Sequence, residues 1–252
     1  MKYLSLLIPF TLFATVNEPL RLELLSGYRS DDIHWHFEGK DPYGEDYDNL
    51  QFWQNQLALR SIHRDIVFYA KGSYSAFGEK TVSRPALEVV TTHGFALDGM
   101  THLGYAVNLT PDRTYNTMIV PLVGFSGHYE KIKRATMPKY YEQTFYGPYV
   151  GGAIRGDPGN GLHFEVGYAF NWLHLHLKDA YPTNSQVDFS GWGNHGQSGW
   201  VQMAIDLNYG WQLGALGTID YIYSNVHQLS DDQQFILRWT PISGSLTLSK
   251  SF

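Results

Sequence analysis

Two histidines, His174 and His176, close the stretch LHFEVGYAFNWLHLHLKDAY (162–181), and Asp179 follows three residues after His176. On an extended strand, residues i and i+2 project from one face, so both imidazoles could ligate one metal ion, or hold one water with Asp179. A metal would need a third ligand, for which Asp179, Asp188 and His195 are the nearby choices. No spacing compels them to converge, so no metal site is assigned. His174, His176 and Asp179 remain the candidates for a hydrolytic site. A second group with chemical potential is Glu130, Lys131, Lys133 and Arg134, the densest basic cluster in the chain. Lysine as a point charge and arginine as a fork both suit phosphate groups. The Asp157–Gly161 segment, DPGNG, is a tight turn and not a phosphate loop, because no helix follows it.

What must position these residues is a set of strands. Hydrophobicity alternates with period two along most of the chain. Leu20, Leu22, Leu24 and Tyr28 oppose Arg21, Glu23, Gly27 and Arg29; Leu103, Tyr105, Val107 and Leu109 oppose Gly104, Ala106 and Asn108. From Val201 to Trp211 the odd positions are apolar and the even ones small or polar. Such runs reach about 11 residues, which at about 3.3 Å each and a tilt of about 40° cover about 28 Å, the lipid-facing band of a transmembrane barrel. Aromatics at the ends of the apolar faces, Tyr209 and Trp211 for example, fit an interfacial girdle.

The alternation predicts ten strands, near 19–38, 48–61, 65–77, 86–109, 115–130, 143–155, 162–178, 199–213, 216–226 and 234–252. Connectors after the even strands are short, the last of them Gly214–Ala215; those after the odd strands are longer and polar. This is the pattern of periplasmic turns and extracellular loops. Pro241 within 235–252 leaves twelve shorter strands as the alternative. The expected fold is therefore all-β, a transmembrane antiparallel up-and-down β-barrel. Its inward set, Arg21, Glu23, Arg29, Lys71, Glu130, Glu165, Asp206, Asn208 and Asp220, mixes signs and predicts paired charges in a narrow lumen.

Composition agrees. A net charge of −6 argues against nucleic-acid binding. The absence of cysteine excludes disulfides, thiolate zinc sites and thiol nucleophiles. A chain with 15% aromatic and only 17% charged residues is unusual for a soluble enzyme, while a mean hydropathy of −0.28 is too polar for a helical membrane protein. A barrel satisfies both, since only alternate strand residues meet lipid. Residues 1–16 read as a signal peptide, with Lys2 before an apolar run, leaving 17–252 as the barrel. The expected location is the bacterial outer membrane. Phe252 ends an alternating last strand, the kind of signal read by outer-membrane assembly machinery.

Three segments carry a family resemblance: LSGYRSDDIHWHF (25–37), LVGFSGHYE (122–130) and YYEQTFYGPYVGGAIRGDPGNGLHFEVGYAFNWLH (140–174). They resemble the omptins, ten-stranded outer-membrane barrels that include surface proteases, and omptin-like barrels of the protochlamydia outer-membrane protein group. The resemblance implies a proteolytic site made of an Asp pair in the second outer loop and an Asp–His pair above strand seven, with a water activated between them. This chain departs from it. Its second outer loop, AFGEKTVSRPALE, has only Glu79 and Glu88, and above strand seven the Asp-x-His order is replaced by His176 and Asp179. The resemblance therefore implies the barrel without the peptidase constellation. It also implies lipopolysaccharide on the outer wall, for which Glu130, Lys131, Lys133 and Arg134 are the candidates, and no cofactor. The expected function is a monomeric, non-catalytic surface barrel whose outer loops serve interaction or adhesion, with an altered surface endopeptidase and a narrow, porin-like channel as alternatives. The alternation itself breaks at Trp172, placing Leu173, Leu175 and Leu177 on the inner parity and turning His174 and His176 outward.

Overall fold

The computed structural model describes residues 16–38, 43–83, 89–110, 116–134, 140–180, 186–228 and 233–252. The signal-peptide region 1–15 lies outside the described residues. Ten long strands follow one another: β1 (Glu18–Glu38), β2 (Tyr43–His63), β3 (Ile66–Ser83), β4 (Val89–Tyr105), β5 (Asn116–Arg134), β6 (Tyr140–Asp157), β7 (Leu162–Ala180), β8 (Gln186–Asp206), β9 (Trp211–Gln228) and β10 (Gln233–Ser251). Val107–Asn108 continues β4 beyond a break at Ala106 and pairs with β5. Each strand is antiparallel to its neighbours, and β1 closes on β10 from Arg21↔Ser251 to Glu38↔Gln234. The result is a closed ten-stranded up-and-down barrel with no free sheet edge. Pro241 lies within β10, opposite Asp31 of β1, and does not divide it.

The outside of this barrel is apolar where a soluble protein would be polar. Leu20, Leu24, Leu57, Phe68, Leu103, Val123, Val150, Val166, Val201, Leu213, Ile242 and Leu246 are all exposed there. Tyr28, Trp53, Tyr74, Phe125, Tyr146, Trp172 and Tyr221 border this band on one side; Tyr105, Phe164, Tyr209, Trp211 and Phe252 border it on the other. Polar groups alternate with them on the inner face. This is the surface of a transmembrane barrel, with its two interfacial girdles. Leu57 sits mid-band on β2, so a Leu57→Arg variant refolded into lipid vesicles should lose about 2–4 kcal/mol in a urea titration. The same change at girdle residue Tyr28 should cost about 0–1 kcal/mol. Equal costs would refute the assignment of the band.

Two expectations about connectors need correction. The predicted turn at Gly214–Ala215 is strand: both residues lie inside β9, and a Cβ on Gly214 would stand 2.4 Å from the Met203 carbonyl oxygen. The actual turn is Leu207–Gly210, where Tyr209 and Gly210 both take positive φ, 61° and 74°. It is concealed in the sequence because four turn residues preserve the alternation, so Leu207, Tyr209 and Trp211 continue the apolar phase of Ile205. The second correction concerns the outer loops. Much of what reads as long polar loop is strand: β2 begins at Tyr43, β6 at Tyr140 and β8 at Gln186. A strand of 21 residues, such as β1, rises roughly 50 Å at a 40° tilt, about twice the lipid band. The barrel wall therefore projects from the membrane at the end opposite the short turns. Ser30, Asp32 and His34 of β1 are polar outward residues on that projection.

Candidate functional site

The projecting half is filled. Ile33, Leu50, Phe52, Ala96, Ile132, Tyr141, Phe145, Leu173, Leu175, Leu177, Ile222, Leu237 and Trp239, from eight strands, form one buried apolar cluster at the mouth. The three leucines come from the His-Leu-His-Leu segment, on the inner parity of β7. Leu175 and Leu177 are fully buried.

The histidines lie on the other side of the wall. His174 stacks on Tyr146, centroids 4.8 Å apart, and meets Trp192 edge-on at 5.1 Å. Its Nε2 is 3.2 Å from Ser190 Oγ. Trp192 reaches this face through a bulge: the β7–β8 register shifts between Leu173 and His174, and Gly193 takes φ +105°. Partial burial, and then His176 beside it, hold the His174 imidazole below its ordinary pKa, so it is neutral at neutral pH. His176 pairs across with Thr144 and Ser190 on the same outer face. The backbone of Asp179 pairs with Tyr141 and Val187; its side chain lies outside the described residues, as do those of Glu79, Glu88 and Asp188. Among the described residues, no group of three or more His, Asp or Glu side chains could hold a metal.

The basic cluster divides between the two faces. Lys131 is on the outer wall, its Nζ 3.2 Å from Glu142 Oε2 and 4.6 Å from the Tyr140 ring centroid. Tyr129 donates to the same carboxylate at 2.8 Å. Burial alone would raise Glu142; hydrogen bonds from Tyr129 and Lys131 hold it below the usual carboxylate range. Lys133 is exposed beside them. Glu130 does not join this group: it is fully buried inside the barrel, accepting from Gln143 Nε2 at 2.8 Å. Strand parity separates it from Lys131. The backbone of Arg134 pairs with Thr92, and its side chain lies outside the described residues.

Beneath the apolar mouth lies a buried polar network that the sequence indicates only in part. Arg29 forks onto Asp31, reaches Asp98 Oδ2 at 3.1 Å and approaches Glu130 at 3.9 Å. His128 Nδ1 is 2.6 Å from Asp98, Ser73 Oγ donates to Asp98 at 2.6 Å, and Trp239 Nε1 donates to Asp31 at 3.2 Å. The Arg29 guanidinium also lies 5.1 Å from the Phe52 ring and 5.3 Å from that of Trp239. Nearer the turns, Glu165 pairs with Arg60 and, at 3.1 Å, with Arg155; Trp200 Nε1 donates to it at 2.8 Å. Trp200 can lie there because Gly167 offers no side chain: a Cβ would stand 2.0 Å from its ring. Of the predicted inward set, Arg29, Glu130 and Glu165 are paired in these networks, and Lys71 and Asp220 face a cavity between them. Asp206 and Asn208 sit at the exposed turn end instead. Burial would raise Asp206, but hydrogen bonds from His163 and Gln212 lower it.

An apolar outer band, paired charges within and closure of first strand on last define a transmembrane β-barrel of the outer-membrane kind. No protein-family model matches the sequence, and no curated protein is similar to it in sequence. Among solved structures, the outer membrane protease OmpT from Escherichia coli has this architecture, with a TM-score of 0.66 and 9% identity over 95% of this chain and 99% of that one. At such identity the likeness is one of fold alone. It agrees with the omptin-like barrel expected from the sequence. Looser likenesses are the translocator domain of the autotransporter NalP from Neisseria meningitidis (TM-score 0.42, 10% identity, 93% and 89% covered) and Neisserial surface protein A (TM-score 0.38, 7% identity, 94% and 99% covered).

Proposed function

We propose that this chain is a non-catalytic outer-membrane barrel, exported by its N-terminal segment, whose projecting wall and connectors serve surface interaction or adhesion. The observation that carries this reading is the apolar filling of the mouth. An omptin-like hydrolase needs a water held between polar groups on facing walls. Here Phe52, Phe145, Leu175, Leu177 and Trp239 occupy that cross-section, and His174 stacks outside the wall. Lipopolysaccharide is the proposed companion of the outer wall at Lys131 and Lys133. Lys131 would share its charge between a phosphate and Glu142, so Lys133 would carry more of the contact. Phe252, on the lipid-facing parity of β10, is the proposed signal to the assembly machinery.

The test is protein refolded in detergent with lipopolysaccharide and offered fluorogenic peptides. Cleavage should not exceed the buffer rate, and planar bilayers containing the protein should stay silent. Peptide cleavage that disappears in a His176→Ala variant would establish the altered endopeptidase instead. Stepwise conductance would establish the channel.

A further inference from the structure

Between the Arg29 and Glu165 networks the barrel holds a chamber of about 180 Å³. Its wall combines aromatic faces, Tyr69, Tyr149 and Trp200, with polar groups, two of whose atoms have no hydrogen-bond partner. Gln56 Oε1 and Arg60 Nε are buried and make no hydrogen bond. Lys71 of β3 and Asp220 of β9 enter from walls separated by β2, β1 and β10; among the described residues neither forms an ion pair within 4 Å, and Asp220 accepts a hydrogen bond from Ser198. Buried polar groups are almost always satisfied, and an orphan costs about 1–3 kcal/mol. An occupant that both accepts and donates would satisfy these groups.

The arrangement narrows the occupant's chemistry. Donors (Lys71 and the Arg60 Nε–H) and acceptors (Asp220 and Gln56 Oε1) are balanced, which fits a molecule carrying one charge of each sign. The aromatic faces favour an apolar body beside those charges. An apolar cavity of about 150 Å³ accepts benzene, so this chamber suits a molecule only slightly larger. We propose that the chamber binds an amino-acid-sized zwitterion with an apolar side chain. Its carboxylate faces Lys71 and Arg60, its ammonium faces Asp220 and Gln56, and its side chain lies against Trp200 and Tyr149. The apolar mouth and the Arg60–Glu165 layer lie on either side of the chamber, so the occupant is best supplied during refolding. This proposal does not depend on whether the mouth is catalytic.

The protein should be refolded in detergent with radiolabelled leucine and separated from free label by gel filtration. Wild type is expected to retain label saturably. Lys71→Met and Asp220→Asn should each lower retention at least about tenfold, equivalent to 1.4 kcal/mol, while keeping the electrophoretic mobility of the folded barrel. Ala169→Leu, which fills part of the chamber without removing a charge, should also expel the label. Wild type that retains no more leucine than empty micelles contains water only, and the proposal fails. It fails equally if the folded variants retain as much as wild type.

Discussion

An Arg29→Met variant will be the most damaging single change in the lumen, costing about 3–5 kcal/mol in urea unfolding of the refolded barrel. The guanidinium is 4% exposed and is the shared cation of Asp31, Asp98 and Glu130. Asp98 would retain His128, Ser73 and Gln54. Glu130 would retain Gln143. Asp31, fully buried, would be left, among the described residues, with the Trp239 indole N–H as its hydrogen-bond donor. Most of the cost thus comes from one stranded carboxylate, because removing a single partner leaves an uncompensated buried charge. A double variant, Arg29→Met with Asp31→Leu, removes that charge as well and should be more stable than the single variant. Arg29→Lys should recover little, since an ammonium cannot fork onto Asp31 while also reaching Asp98. A single variant as stable as wild type, or a double variant worse than the single, would show that the network contributes nothing as a unit.

This network shows where the sequence is legible and where it is not. Alternation identifies Arg29, Glu130 and Glu165 as inward residues because parity is a local property of a strand. It does not show that Arg29 meets Asp98, which is 69 residues away, or that Arg60 and Arg155 share Glu165. Those pairings depend on register around the barrel, and strand parity is silent about register. The lipid band and ten-strand closure were legible, since a bilayer imposes both length and alternation. The outer strand extensions were not: YGEDYD (43–48) and the polar run from Gln186 carry turn residues typical of loops, and only pairing with neighbours reveals them as strand. Similarly, Trp192 would lie on the opposite parity without the extra residue at Gly193, so its place beside His174 follows from a bulge.

The HLHL segment itself is best tested by comparing neighbours. Leu175→Ala should destabilise the refolded protein by about 2–5 kcal/mol, the range for removing a buried leucine from a packed core. Leu175 is fully buried among side chains from several strands, and a ten-stranded wall held by continuous pairing cannot contract to fill the space left. His174→Ala, one residue away, removes a ring that packs on the outer-wall aromatics Tyr146 and Trp192 and meets the Ser190 hydroxyl. Its cost should be about 0.5–1.5 kcal/mol, the value of an aromatic pair at a partly exposed site. Urea unfolding followed by tryptophan fluorescence measures both. The alternative, in which the histidines face a working cleft and the leucines face lipid, predicts the reverse order. In that case Leu175→Ala would be nearly silent, because lipid fills the space of the deleted isopropyl group on an outer wall. The imidazoles would then be the residues that the fold is organised to hold. The physical meaning of His-Leu-His-Leu is decided by which of its two alternating sets lies inside the barrel.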